Sequence, residues 1–294
     1  MHYRVRHITR YEYESDVALS HNQMRLSPRS LSCQTVEWPQ LLVQPEPTFQ
    51  RAWVDFHGNR THFFSIEQSH RVMEVSAESL VERTGQELAV NAKATWESLA
   101  ARVEYPRSAV DIEASMFRFD SRYVRFSHEV QQYAQPSFVA GRSMLEAAKD
   151  LTARIFQDFE YDPNATHVST PTLEVLRQRR GVCQDFAHLQ IACLRSMGLA
   201  ARYVSGYLLT QPPPGQSKLV GSDASHAWIS VYFGDGQWLD FDPTNNLIPG
   251  DEHITIGWGR DYADICPIQG VLIGGGQSRL RVSVDVLPIS SQGE

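Results

Sequence analysis

The sequence is poor in the features that most simply assign a chain to a class. Its 4 cysteines, Cys33, Cys183, Cys193 and Cys266, include no Cys-x-x-Cys pair and are too few for a disulfide scaffold, so reduced thiols are the simplest inference. No run of lysine or arginine occurs and the formal net charge is −7, which argues against nucleic acid as main partner, because phosphate recognition needs a concentrated basic face. No apolar run is long enough to span a bilayer, and Met1-His2-Tyr3-Arg4-Val5-Arg6 leads into alternating polar and aromatic residues instead of the apolar core of a secretory signal. The expectation is a soluble cytoplasmic protein without a membrane partner. His7, His57, His62 and His70 lack metal-ligand spacing, and no cofactor is expected.

What remains is a globular composition, 42% hydrophobic over 294 residues, enough for one large or two modest cores. Residues 1–88 read as an antiparallel β domain with strands at Tyr3–Tyr13, Thr35–Val43, Arg51–Phe56, Thr61–Glu67 and Val72–Val81. His57-Gly58-Asn59 supplies a hairpin turn, and Trp53, Phe56, Phe63 and Phe64 are expected to fill the sheet core. The composition changes at Thr84-Gly85-Gln86, which places a boundary near residue 88 and a second unit, with C-terminal strands, at 89–294. Helices are expected at Val90–Ala101, His128–Ala134 and Ser143–Phe159, the last packing against the helix that follows Gly181. A short helix is expected to start from Thr170 as N-cap and Pro171 in its first turn and to end at Gly181. Gln211–Ser225, rich in Pro, Gly and Ser, is a candidate rim or lid and equally a plain surface connection.

Three residues carry chemistry. Val182, Phe186, Leu189, Cys193 and Met197 recur at helical spacing between Gly181 and Gly198, which puts Cys183 in the first turn, off the apolar stripe. Unpaired N–H groups and the helix dipole there favour a thiolate, although a buried structural thiol is the commoner fate of a cysteine. Further on, Ser225–Phe233 and Trp238–Thr244 form a hairpin about Gly234-Asp235-Gly236-Gln237, with His226, Trp228, Ser230 and Tyr232 on one face. Folding it sets Trp228 opposite Asp242 and makes His226 and Asp242 diagonal neighbours, about 7–8 Å apart at Cα. Asp240 shares that face but lies further from His226, and its default role is a solvated strand carboxylate.

Cysteine, histidine and aspartate in this order supply a nucleophile, a base and an imidazole orienter. The runs Gly181-Val182-Cys183-Gln184-Asp185-Phe186-Ala187-His188, Ser225-His226-Ala227-Trp228 and Phe241-Asp242-Pro243-Thr244-Asn245 resemble the bacterial transglutaminase-like superfamily. The Tyr3-Arg4-Val5-Arg6-His7 start, the Gly58-Asn59 hairpin and Gly259-Arg260-Asp261-Tyr262-Ala263-Asp264 extend the resemblance to both ends. It implies an α+β protein: an antiparallel β domain before a papain-like core whose helix-borne cysteine packs on an antiparallel sheet. Cys183, His226 and Asp242 would be its catalytic residues, and a peptide or other amide its substrate. Asp185, His188, Arg260 and Asp261 are secondary candidates, each as readily structural. No acidic loop of the Asp-x-Asp-x-Asp type supports calcium dependence. The rivals are a non-catalytic binding module with the same fold and a metal held by Cys183, His226 and Asp242.

Overall fold

The computed structural model describes residues 1–85, 90–210 and 224–289. Five strands open the chain: β1 (His2–Met24), β2 (Gln34–Gln44), β3 (Phe49–Val54), β4 (Arg60–Ile66) and β5 (His70–Arg83). A mostly helical stretch follows, with α1 (Trp96–Glu104), α2 (Ala109–Ser115), α3 (His128–Ala134), α4 (Met144–Asp158), β6 (Glu160–Tyr161), α5 (Thr172–Gln178), β7 (Arg180–Gly181) and α6 (Cys183–Ser196). The remainder is β8 (Ala201–Leu208), β9 (Ala224–Gly234), β10 (Gln237–Phe241), β11 (His253–Gly259), α7 (Tyr262–Ile265), β12 (Ile268–Gly274) and β13 (Ser278–Ile289). No helix among the described residues is long and apolar enough to cross a membrane.

The α+β class and the antiparallel opening sheet hold, with two differences from the sequence reading. β1 continues past Tyr13 to Met24, because alternate residues such as Tyr3, Val5 and Val17 stay buried along its length. The C-terminal strands do not belong with the 89–294 unit: β12 and β13 both pair antiparallel with β1, completing a seven-stranded sheet. The expected boundary near residue 88 lies outside the described residues. Of the four aromatics expected in that sheet's core, Phe64 is fully buried but Phe56 is 78% exposed, since it sits beyond the end of β3 at the hairpin tip.

The second sheet has the order β10-β9-β8-β11. Its faces are covered differently. Ala227, Ile229, Val231 and Phe233 of β9 share a core with α4 and with Phe186, Leu189, Ile191 and Leu194 of α6. Toward its other end Tyr207 of β8 and Ile254 and Ile256 of β11 pack with Tyr3, Val5, Val81, Val284 and Val286 of the seven-stranded sheet. The outer edge of β11 is closed by side-chain amides: Gln34 bonds both the N–H and the C=O of Thr255, and Asn59 bonds the N–H and the C=O of Trp258.

The helices show why local rules shift boundaries. α1 begins at Trp96, later than expected, where Thr95 caps the Ser98 N–H. α3 and α4 fall where the periodicity puts them, and Gln190 of α6 bonds Thr152 of α4 at 2.7 Å. The Thr170 hydroxyl accepts the His167 N–H, so it does not cap α5; Pro171 takes the N-cap position itself, and Arg179, at φ 56°, ends the helix before Gly181. α6 is buried on all faces from Asp185 to Arg195, not along one stripe. Arg195 is tolerated there because it donates to the carbonyls of Phe117, Phe119, Ala201 and Arg260 and to the Ser121 hydroxyl.

Candidate active site

The start of α6 is fixed from three directions. Gly181 pairs in parallel with Tyr161, and the Asp162 N–H donates to its carbonyl at 2.9 Å. Val182 is the extended N-cap residue, and its N–H donates to the Asp185 carboxylate at 2.9 Å. The Thr166 hydroxyl donates to the same oxygen at 2.6 Å. Burial raises the Asp185 carboxyl above its ordinary range, and these two donors oppose the rise. Gly181 leaves space for this, since a Cβ there would lie 2.8 Å from Asp185 Oδ2. Cys183 thus emerges half-buried as the first helical residue, where its N–H has no intrahelical acceptor.

The hairpin delivers the other two residues. Asp235 (φ 52°) and Gly236 (φ 76°) form the two-residue turn between β9 and β10, the pair of positive φ angles that matches strand twist. The register Phe241↔Ile229 and Asp240↔Ser230, continued by one residue, sets Asp242 opposite Trp228, as expected. His226 Nε2–H donates to Asp242 Oδ2 at 2.7 Å. With Nε2 committed to Asp242, Nδ1 is the ring nitrogen left to face the Cys183 side chain, which also raises the imidazole. The structure therefore brings Cys183, His226 and Asp242 together in one chain of contacts.

Asp242 is wholly buried yet strongly anionic. Its Oδ1 accepts the N–H groups of Thr244 and Asn245, while its Oδ2 accepts His226, the Asn245 amide at 2.7 Å and His253 Nε2 at 3.1 Å. Burial alone would raise this carboxyl; the side-chain donors His226, His253 and Asn245 outweigh it and hold it far below the usual range. His226 shows the mirror image: burial disfavours its charge, but Asp242 and then Cys183 raise it to about 10, so imidazolium is the preferred form at neutral pH.

His253 and Asn245 were not singled out from the sequence. Asn245 follows the Asp242-Pro243 turn, where an Asx-type role was legible in principle. His253 belongs to β11, separated from β9 by β8, and reaches Asp242 because Gly206 on β8 has no side chain. A Cβ on Gly206 would collide with the Ile254 carbonyl and the Trp228 ring, which occupies that space 5.2 Å from the His253 ring. Asp240 is not the solvated carboxylate expected: it accepts the Trp228 indole N–H at 2.9 Å, which fixes the ring under His226 and His253. The secondary candidates sit in supporting contacts. His188 Nε2 accepts the Tyr262 N–H, Asp261 caps α7 and bonds the Tyr123 N–H, and Arg260 pairs with Asp264.

Near Cys183 stand the hydroxyls of Tyr203 and Tyr161, both raised by burial first and by the neighbouring sulfur second. His226, Asp242 and His253 form a cluster of metal-ligand type. Their atoms stand at hydrogen-bond separations of 2.7 and 3.1 Å on one oxygen, whereas zinc, with bonds of about 2.0–2.2 Å in a tetrahedral site, spreads its ligands further. The geometry is that of a carboxylate hydrogen-bonded by two imidazoles.

Residues 3–82 match the bacterial transglutaminase-like N-terminal region, and residues 131–243 match the transglutaminase-like superfamily. An uncharacterised Mycobacterium tuberculosis protein is 40% identical over 97% of this chain and 92% of its own length. A protein-glutamine gamma-glutamyltransferase of Pseudomonas aeruginosa is 30% identical over 34% of this chain and 16% of its own. The crystal structure of a candidate cysteine protease from Cytophaga hutchinsonii superposes with a TM-score of 0.76 at 22% identity, covering 99% of this chain and 92% of that one, which shows the shared fold. Together these matches support a cysteine-dependent enzyme. With the β region, the helix-borne cysteine and the His-Asp hairpin in place, the chain belongs to the bacterial transglutaminase-like superfamily.

Proposed function

We propose that the protein transfers acyl groups from amide substrates, peptide or glutamine-type, through a thioester on Cys183. The observation that carries this reading is the Cys183–His226–Asp242 chain, with His226 favoured as imidazolium beside the sulfur. The Cys183 sulfur attacks the amide carbonyl carbon, and the π electrons move onto oxygen. The Cys183 N–H, at the start of α6 and without an intrahelical acceptor, serves as an oxyanion donor in this reading; such a donor is worth about 2.7–4 kcal/mol in other enzymes. As the tetrahedral intermediate collapses, His226 gives its Nδ1 proton to the departing amine and the acyl group stays on sulfur. Water or a second amine then loses a proton to Nδ1 while attacking the thioester, which releases acid or new amide and restores the ion pair. Asp242 holds Nε2–H throughout and does not itself transfer a proton.

The test is incubation with a panel of peptides and glutamine donors, with and without an added primary amine, followed by intact-protein mass spectrometry. An acyl adduct on Cys183 that disappears with amine or time supports the proposal. A panel that leaves neither adduct nor product, with Cys183 also inert to alkylation, favours a binding module.

A further inference from the structure

A second site lies behind the catalytic sheet. A chamber of about 140 Å³, lined by Cys33, Arg83, Arg202, Trp228, Asp240 and His253, opens between the seven-stranded sheet and the face of β8, β9 and β11 that bears the triad histidine. Its walls present Arg83 Nε, Arg202 Nε and His253 Nδ1, none of which has a hydrogen-bond partner among the described residues. Arg83 is only 4% exposed and His253 3%. An orphaned buried donor costs about 1–3 kcal/mol, more when charged, so two guanidiniums left in this state around one cavity call for an occupant.

The charge balance says which kind. Arg83 spends its Nη groups on neutral acceptors, the Cys33 sulfur at 3.2 Å and the Gly250 carbonyl at 2.9 Å. The Arg202 guanidinium lies 4.1 Å from the Trp238 ring centre and 3.7 Å from that of Trp258, contacts that shield it from water without neutralising it. The chamber's one carboxylate, Asp240, already accepts the Trp228 indole. Burial pushes Arg202 down to about 9; Asp240 and, less, Glu113 oppose the fall and Arg29 adds to it, so burial still outweighs the carboxylates around this cation. Two guanidiniums thus face one engaged carboxylate in a space of a few water volumes.

We propose that this chamber binds one small monovalent anion, of chloride size, between Arg83 and Arg202. The inference does not rest on the proposed chemistry, and both its readouts measure binding. The experiment uses bromide as probe. Crystals soaked in sodium bromide should show an anomalous peak between Arg83 and Arg202, and in solution Tm should rise saturably with bromide at ionic strength held constant by a bulky sulfonate salt. Loss of one charged contact in Arg83→Gln should raise the half-saturating concentration about tenfold or more, while Arg71→Gln, an exposed control, leaves it unchanged. Water alone in the chamber, or a Tm response that is unsaturable and equal in all three proteins, would overturn the proposal. The crystallographic result decides alone should Arg83→Gln fold poorly.

Discussion

His253, from the outer strand of the four-stranded sheet, donates to the same Asp242 oxygen that His226 uses, at 3.1 Å. The Asp242 carboxylate is thereby held by histidines of β9 and β11 that share one face of the sheet. Replacing His253 by Phe removes a hydrogen bond to a charged group, about 1.5–3 kcal/mol. It should also let the Asp242 carboxyl rise, because His253 is one of the donors that depress it. The expected outcome is a lower turnover with the acidic limb of the pH–rate profile moved to higher pH, partly restored in His253→Gln. Unchanged profiles in both variants would remove His253 from the account.

Asp242 and Asp240 should behave differently despite sharing a strand face. Asp242→Asn loses the hydrogen-bonded charge beside His226 Nε2 and should lower kcat strongly; the equivalent change in a serine triad costs about 10⁴ in kcat. Asp240→Asn keeps an oxygen for the Trp228 indole and should cost only about 0.5–1.5 kcal/mol of stability, with activity retained. Initial rates with circular dichroism on both variants give the comparison, and a larger defect at Asp240 would contradict the observed register.

The His226 charge has a stability signature. Its folded-state pKa, about 10, lies above the ordinary 6.5, so its contribution is fully present below pH 6.5 and is lost as pH rises toward about 10. In Asp242→Asn the larger of the two raising partners is gone and burial opposes what Cys183 still contributes, so the loss of stability with rising pH should shrink and begin at lower pH. Urea midpoints measured across pH for both proteins test this; parallel curves would show that Asp242 does not control the imidazole.

Gly206 keeps open the space that Trp228 occupies beneath the two histidines. A methyl group there meets a backbone carbonyl as well as the ring, and overpacking of this kind costs about 1–3 kcal/mol. For a protein of this size, Gly206→Ala should lower Tm by roughly 2–4 °C per kcal/mol and reduce activity beyond the stability loss, because the ring cannot hold its place. Wild-type Tm and rates in the variant would show that the sheet relaxes freely at this point.

The parts of this architecture that depend on neighbours in sequence were legible. The Asp235-Gly236 turn fixes the hairpin register, and the register makes His226 and Asp242 neighbours. The breaker at Gly181 and the run to Gly198 place Cys183 at a helix start. Residues joined only by the tertiary fold were not legible. His253 meets Asp242 across β8, through a gap left by a glycine, and β12 and β13 return to β1 from more than 240 residues away in the chain, as in Gly270 pairing with Asn22. The contact of Cys183 with His226 depends on α6 lying over the sheet, and only the family resemblance made it an expectation. Asp240 was misread because its indole partner lies on the adjacent strand at a diagonal, where polarity alone suggests solvent.

The most direct test of the central claim is the rate of iodoacetamide modification at each cysteine, followed by peptide mapping near pH 6.5, the ordinary histidine pKa. Cys193 is buried with its thiol pushed up to about 12, and burial raises Cys266 as well. The account predicts that Cys183 is alkylated first and that His226→Ala slows this by up to about two orders of magnitude, the fall to the thiolate fraction of an ordinary thiol at this pH. Equal rates in wild type and His226→Ala, or prior labelling at Cys266, would contradict it.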